Sequence, residues 1–208
     1  MPRVRRQGLR MCVNQLPAAR DDPPAQGSTP LTRTLNAAIE DAGRAVAWLR
    51  NNAGRYNVDP ARIGVGGSSA GAVIALRLAY GETRPRVPVA AVLSWLGGLD
   101  GNESMLDEGE PPLFIVHGAD DNSVPVSEAY ALAQRASRVA IPYEINVCEG
   151  LGHNVPLDRR PGGVSLYHRM ARFFYEQLDL SRVGQKFQAR KRVKSNVQIK
   201  IQPIPCPK

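Results

Sequence analysis

The 208-residue chain has few cysteines, few aromatic residues and no long apolar run. Its three cysteines, Cys12, Cys148 and Cys206, are odd in number, which favours free thiols over a disulfide framework. No segment has the length of a membrane span or the apolar core of a signal peptide, so a cytoplasmic location is the default expectation. Three dispersed histidines, with no cluster of cysteines or carboxylates at ligand spacing, predict neither a metal site nor a cofactor.

Acidic residues are absent from the last part of the chain. Residues 181–208 hold eight lysines and arginines and no acid, which accounts for the whole net charge of +8. We therefore divide the chain into a domain over residues 1–180 and a basic C-terminal tail over residues 181–208, which is disordered or adds an edge strand. The tail has one aromatic residue, Phe187, and thus no stacking platform, so nucleic-acid binding is not favoured.

The sequence does contain a G-x-S-x-G motif, Gly67-Ser68-Ser69-Ala70-Gly71. It lies between a short apolar strand, Arg62–Gly66, and a segment of small residues typical of a helix. A strand, this motif and a helix in succession form the nucleophile elbow of serine hydrolases. We predict Ser69 as the nucleophile, in preference to Ser68, because the Ser-Ala-Gly order fits the motif better. The backbone N–H of Ala70 is then a predicted oxyanion donor.

Two later strands are each followed by a residue that could complete a catalytic triad. The apolar run Leu113–Val116 leads into a loop with Asp120 and Asp121, and the alternating segment Pro142–Cys148 leads into a loop that contains His153. Open α/β sheets place their sites beyond the carboxyl ends of strands. The order serine, acid, histidine is the order that follows a nucleophile elbow in this kind of fold.

These three motifs resemble those of the α/β-hydrolase superfamily, in particular its carboxylesterase and lipase-like members of the hormone-sensitive-lipase or feruloyl-esterase type. The resemblance implies that Asp121, four residues after His117, is the acid rather than Asp120, and that His153 is the base. It also implies hydrolysis of a small-molecule ester and an α/β-hydrolase-type three-layer sandwich with a mostly parallel sheet. We interpret His117 as a structural residue.

The rest of the domain fits this fold. Apolar residues recur at helical spacing over residues 35–49, and we predict a strand at Val87–Trp95 and further helices at residues 127–139 and 164–178. Strands that alternate with helices indicate a mostly parallel sheet with helices on its faces.

The segment between the predicted strand at residues 87–95 and the acid strand is short. Gly97–Pro112 has no room for a lid, which favours an open site and short or surface-presented esters. Trp95, Leu96 and Leu99 either line an acyl pocket or are ordinary core residues, and the sequence leaves both readings open. Substrate-binding residues and the oligomeric state are not predicted.

The beginning of the chain departs from the family pattern. Val4–Pro17 already resembles the helix end and fourth strand that precede the elbow, so we expect an N-terminally truncated domain without the first strands and the His-Gly-Gly oxyanion loop. We predict a serine hydrolase that cleaves carboxylic esters through an acyl-enzyme intermediate; peptidase, lactonase and thioesterase activities would use the same triad. The alternative is a catalytically incompetent hydrolase-like binding module with a basic tail.

Overall fold

The computed structural model of the chain describes residues 29–81 and 87–180. The strand expected near residues 4–17 and the basic tail at residues 181–208 lie outside the described residues. Within the described part, no helix is both long and apolar enough to cross a membrane.

Strands and helices alternate along the described chain. The strands are β1 at Gly64–Ser68, β2 at Ala91–Trp95, β3 at Leu113–Gly118 and β4 at Tyr143–Cys148. The helices are α1 at Pro30–Asn51, α2 at Ala53–Tyr56, α3 at Ala70–Tyr80, α4 at Val126–Arg138 and α5 at Leu166–Gln177. Short 3-10 turns lie at Glu103–Met105 and Pro161–Gly163.

The four strands form one sheet in the order β1-β2-β3-β4, and every neighbouring pair is parallel. In register, Gly67 of β1 lies beside Ser94 of β2, which lies beside Ile115 of β3. The carboxyl ends of all four strands therefore meet at one edge, and the loops that follow β1, β3 and β4 leave the sheet there. The predicted parallel sheet is confirmed.

Helices cover both faces of this sheet. Side chains of β2 and β3 alternate between the faces, as in any strand. On one face Val92, Leu113 and Ile115 pack in a buried cluster with α3 and α4. On the other face, Phe114 and Val116 share a second cluster with α5, which supplies the buried residues Met170, Phe173 and Phe174. Helix, sheet and helix form the three layers of the predicted sandwich.

The bounds of two elements, β2 and α1, differ by more than two residues from those predicted. Strand β2 begins at Ala91 rather than Val87, and Pro88, which has no N–H to donate to a ladder, lies in the lost part. Instead, the carbonyl of Pro88 accepts a 3.2 Å hydrogen bond from Arg50. Helix α1 begins earlier than the apolar pattern, because the Thr29 side chain caps it by accepting the Thr32 N–H at 3.1 Å.

Candidate active site

Ser69 occupies a sharp turn between β1 and α3. Its backbone has φ 54° and ψ −123°, a left-handed conformation that strains a non-glycine residue by about 1–3 kcal/mol. Its N–H donates to the carbonyl of Trp95 at 2.8 Å, and its carbonyl accepts the N–H of Ala72 at 2.9 Å. The backbone on both sides of the turn is thus anchored, and the side chain makes no helix-capping bond.

Gly67 makes the tight turn sterically feasible. A β-carbon there would lie 2.3 Å from the carbonyl carbon of Gly71, which no real structure tolerates. Gly71 has no such steric constraint, since a β-carbon there would meet nothing within 4 Å. A β-carbon is therefore excluded at Gly67 and accommodated at Gly71, because only the side-chain direction at Gly67 points into the turn.

The loop after β3 holds Asp121 by its backbone. Oδ1 of Asp121 accepts the N–H groups of Ser123 at 2.9 Å and Val124 at 3.0 Å. Burial raises the pKa of this carboxyl, but the hydrogen bonds from Val124, His153 and Ser123 outweigh it, and the net pKa lies below its usual value. Asp121 is therefore an anion at neutral pH.

The acid loop and the histidine loop are packed backbone against backbone. A β-carbon on Gly118 would lie 2.2 Å from the carbonyl oxygen of Gly152 and 2.3 Å from that of Leu151. The N–H of Asp120 donates to the same Leu151 carbonyl at 2.9 Å. This contact sets the separation of the two loops.

His153 connects the other two predicted residues. Its Nδ1 lies 2.7 Å from Oδ2 of Asp121, and its Nε2 lies 2.8 Å from Oγ of Ser69. Because the Asp121 carboxylate can only accept, Nδ1 carries the proton and Nε2 is free to accept from the serine hydroxyl. The Asp121 side chain is fully buried, whereas 28% of the His153 side chain is exposed, so solvent and small molecules reach the histidine side of the site.

Four neighbouring or similar side chains make none of the hydrogen bonds that join Ser69, His153 and Asp121. Ser68 is the last residue of β1 and is exposed, and Asp120 is likewise exposed. His117 is buried in β3, with Nε2 2.9 Å from the carbonyl oxygen of Val124. His168 lies on α5, where its Nδ1 is 2.6 Å from the hydroxyl of Ser165.

Ala70 is the first residue of α3. The N–H groups of a first helical turn have no acceptor within the helix, and the helix dipole favours an anion at this end. The Ala70 N–H therefore suits the predicted role of oxyanion donor beside Ser69.

The three candidate pocket residues prove to be core residues. Trp95, Leu96 and Leu99 are all buried, at 7%, 3% and 0% exposure. The indole N–H of Trp95 donates to the carbonyl of Val155 at 3.2 Å, which ties the end of β2 to the segment after His153. Across residues 29–81 and 87–180, no three His, Cys, Asp or Glu side chains gather as metal ligands.

Two family models match parts of the chain. The BD-FAE family matches residues 29–104, which include the elbow, and the prolyl oligopeptidase family matches residues 101–181, which include the acid and histidine loops. No curated protein matches the chain in sequence.

Solved hydrolase structures share the fold. An acetyl ester-xyloside bifunctional hydrolase from Caldicellulosiruptor lactoaceticus is 20% identical with a TM-score of 0.58, over 68% of this chain and 65% of that one. Esterase Est2 of the Planctomycetes species Thermogutta terrifontis is 20% identical with a TM-score of 0.59, over 73% and 68%. MGS-M1, an α/β hydrolase from a Medee basin deep-sea metagenome library, is 23% identical with a TM-score of 0.54, over 68% and 64%.

The chain thus spans 65% and 64% of the length of two of these proteins. A parallel sheet between helical layers, with a serine in a strained turn after a strand, defines the α/β-hydrolase fold. The chain has this fold, and in sequence it is similar to the BD-FAE and prolyl oligopeptidase families over the residues given above.

Proposed function

We propose that this protein is a serine hydrolase that cleaves carboxylic esters through an acyl-enzyme, with Ser69 as nucleophile, His153 as base and Asp121 as acid. The observation that carries the proposal is the continuous contact from Asp121 Oδ2 through the His153 imidazole to Ser69 Oγ, at 2.7 and 2.8 Å. A nucleophile bonded to a base that a third group orients is the arrangement that activates a serine.

In the acylation step, Ser69 Oγ attacks the ester carbonyl carbon and its proton passes to His153 Nε2. The negative charge moves to the carbonyl oxygen, which the Ala70 N–H stabilises at the start of α3. Asp121 stabilises the imidazolium that forms, since its carboxylate is buried and held ionised. The tetrahedral intermediate then expels the alkoxide, which takes the proton from Nε2 and leaves as the alcohol.

In the deacylation step, water attacks the acyl-serine and gives its proton to His153 Nε2. Collapse of the second tetrahedral intermediate returns that proton to Ser69 Oγ and releases the carboxylic acid. The sum is ester plus water to acid plus alcohol. The steps proposed here use water, the three triad side chains and the backbone N–H of Ala70.

Short acyl esters are the substrate class that we propose. The segment between β2 and β3 is bonded down onto α4, where Glu128 accepts the Asp100 N–H at 2.7 Å and Arg135 donates to the Leu106 carbonyl at 2.9 Å. That segment is therefore held against α4, and Ser69 keeps part of its surface exposed. Two structures of the Thermogutta terrifontis esterase are bound to propionate and butyrate, which supports acyl chains of this size.

The test is turnover of p-nitrophenyl acetate, butyrate and octanoate by the full chain and by Ser69→Ala. We expect hydrolysis that favours the two shorter esters and falls on the order of 10⁴-fold or more in Ser69→Ala. Ser68→Ala is the matched control, because it removes a neighbouring exposed hydroxyl and should retain activity. Turnover that survives in Ser69→Ala would overturn the proposed nucleophile.

Because the prolyl oligopeptidase family matches residues 101–181, amide cleavage is a second activity to be tested. A matched p-nitroanilide series measures it with the same triad and the same variants. Ester turnover in excess of anilide turnover supports an esterase, and the reverse supports a peptidase. No turnover by a folded chain in either series would favour the hydrolase-like binding module.

A further inference from the structure

We infer that His117 is a positioning residue that holds the candidate acid Asp121 against His153. This inference rests on the proposed function, in which Asp121 orients the base. It concerns a buried histidine that the triad itself does not use. The side chains of His117 and Asp121 are both fully buried, and Nε2 of His117 lies 3.4 Å from Oδ2 of Asp121.

The hydrogen bond of His117 selects one tautomer. Its Nε2 lies 2.9 Å from the carbonyl oxygen of Val124, which can only accept, so Nε2 carries the proton. Its Nδ1 is buried and has no hydrogen-bond partner in the part of the chain that the structure describes. The neutral Nε2–H form therefore fits this environment.

His117 and Asp121 both form hydrogen bonds to the backbone of Val124. The Val124 N–H donates to Oδ1 of Asp121 at 3.0 Å, while the Val124 carbonyl accepts from His117 at 2.9 Å. His117 lies in β3, in the middle of the sheet, so it is the more rigid partner. It fixes Val124, and Val124 in turn fixes the carboxylate that contacts His153.

The position of the His117 proton adds an electrostatic effect. The Nε2–H is within 3.4 Å of Oδ2, the same oxygen that accepts from His153 Nδ1 at 2.7 Å. A partial positive charge there favours the ionised form of a carboxylate that is itself fully buried. Without the His117 Nε2–H, the Asp121 carboxylate would lose one of the interactions that hold it in its buried orientation.

The first test is the tautomer of His117 in the unaltered chain, measured by nitrogen-15 NMR of histidine-labelled protein. We expect a neutral ring protonated at Nε2. A ring protonated at Nδ1 would overturn the inference without any variant. The measurement needs no turnover, so its result is separate from success or failure of the proposed hydrolase activity.

The second test compares His117→Met, which removes the donor, with His117→Gln, whose amide nitrogen can replace Nε2. We expect the downfield Nδ1–H resonance of His153, assigned by its loss in His153→Ala, to broaden or vanish in His117→Met and to persist in His117→Gln. With an ester substrate, kcat should fall on the order of 10- to 100-fold in His117→Met at similar KM, and recover in His117→Gln.

The control is Asn146→Leu, since Asn146 is another fully buried polar residue, and its amide nitrogen makes long hydrogen bonds of 3.4 and 3.5 Å. It should change the free energy of unfolding while leaving the His153 resonance and kcat in place. A folded His117→Met chain with an unchanged His153 resonance and kcat would overturn the inference, as would failure of His117→Gln to restore them.

Discussion

The N–H of Asp120 donates to the carbonyl of Leu151 at 2.9 Å and so joins the loop that carries the candidate acid to the loop that carries the candidate base. Gly118 lies against the same carbonyl and leaves no space for a β-carbon, which would be 2.3 Å from that oxygen. The distance between Asp121 and His153 therefore depends on backbone packing at Gly118, Asp120 and Leu151, one to three residues from the side chains that it positions.

Gly118→Ala should separate the two loops. Because the methyl group meets backbone rather than a flexible side chain, we expect a loss of about 1–3 kcal/mol in the free energy of unfolding and a large loss of kcat. Urea denaturation and ester turnover measure the two effects. Gly152→Ala is the matched control, because its β-carbon would meet nothing closer than 3.4 Å. Equal behaviour of the two variants would contradict the packing argument.

The two outer glycines of the elbow should respond in opposite ways. Gly67→Ala places a methyl 2.3 Å from the Gly71 backbone and should abolish activity or folding. Gly71→Ala has open space in the first turn of α3 and should keep the fold, with up to about 1 kcal/mol of added helix stability. Thermal unfolding and turnover of both variants test this pair, and a Gly71→Ala chain as damaged as Gly67→Ala would refute it.

Asp121 should make stability depend on acid pH. Its pKa is lower in the folded chain than in the unfolded one, where a carboxyl titrates near about 4. Its contribution is therefore fully present above that pH and is lost as the pH falls through the lowered native pKa. We expect the unaltered chain to lose more urea stability than Asp121→Asn on acidification below pH of about 4. Parallel losses in both chains would contradict this.

Glu128 should stabilise the segment that follows β2. Its carboxylate accepts the Asp100 N–H at 2.7 Å, and it lies in the first turn of α4, where the helix dipole favours an anion. We expect Glu128→Ala to cost about 1 kcal/mol of unfolding free energy and to speed hydrogen exchange of the Asp100 amide. Glu108→Ala, at an exposed position of the same segment, is the control and should change neither quantity measurably.

Much of the fold follows from local sequence patterns. The period of apolar residues predicts α4 and α5 within two residues of their bounds, and buried strand runs predict β3 and β4, because both signals are carried by consecutive side chains. The start of β2 is harder to predict, because it depends on which residues pair with strands that are far away in the sequence. Pro88 has no N–H to donate to such a pairing, and the strand begins only after it.

The candidate site, like the fold, can be predicted from local sequence only in part. Ser69 and His153 are marked by the residues around them, but the choice between Asp120 and Asp121 depended on resemblance. The structure separates the two carboxylates by loop geometry: Asp121 faces inward on the N–H groups of Ser123 and Val124. Backbone donors carry no side-chain signal, so the sequence does not reveal them. The same is true of the burial that makes Trp95 a core residue.

The most direct measurement of the central claim is intact-mass and peptide-level labelling of the purified full chain by a fluorophosphonate, beside Ser69→Ala, His153→Ala and Ser68→Ala. Covalent capture requires an activated serine but no knowledge of the natural ester. We predict one label per folded chain at Ser69, lost in Ser69→Ala and His153→Ala and retained in Ser68→Ala. A folded chain that takes no label, or takes it equally without His153, would contradict the proposed hydrolase site.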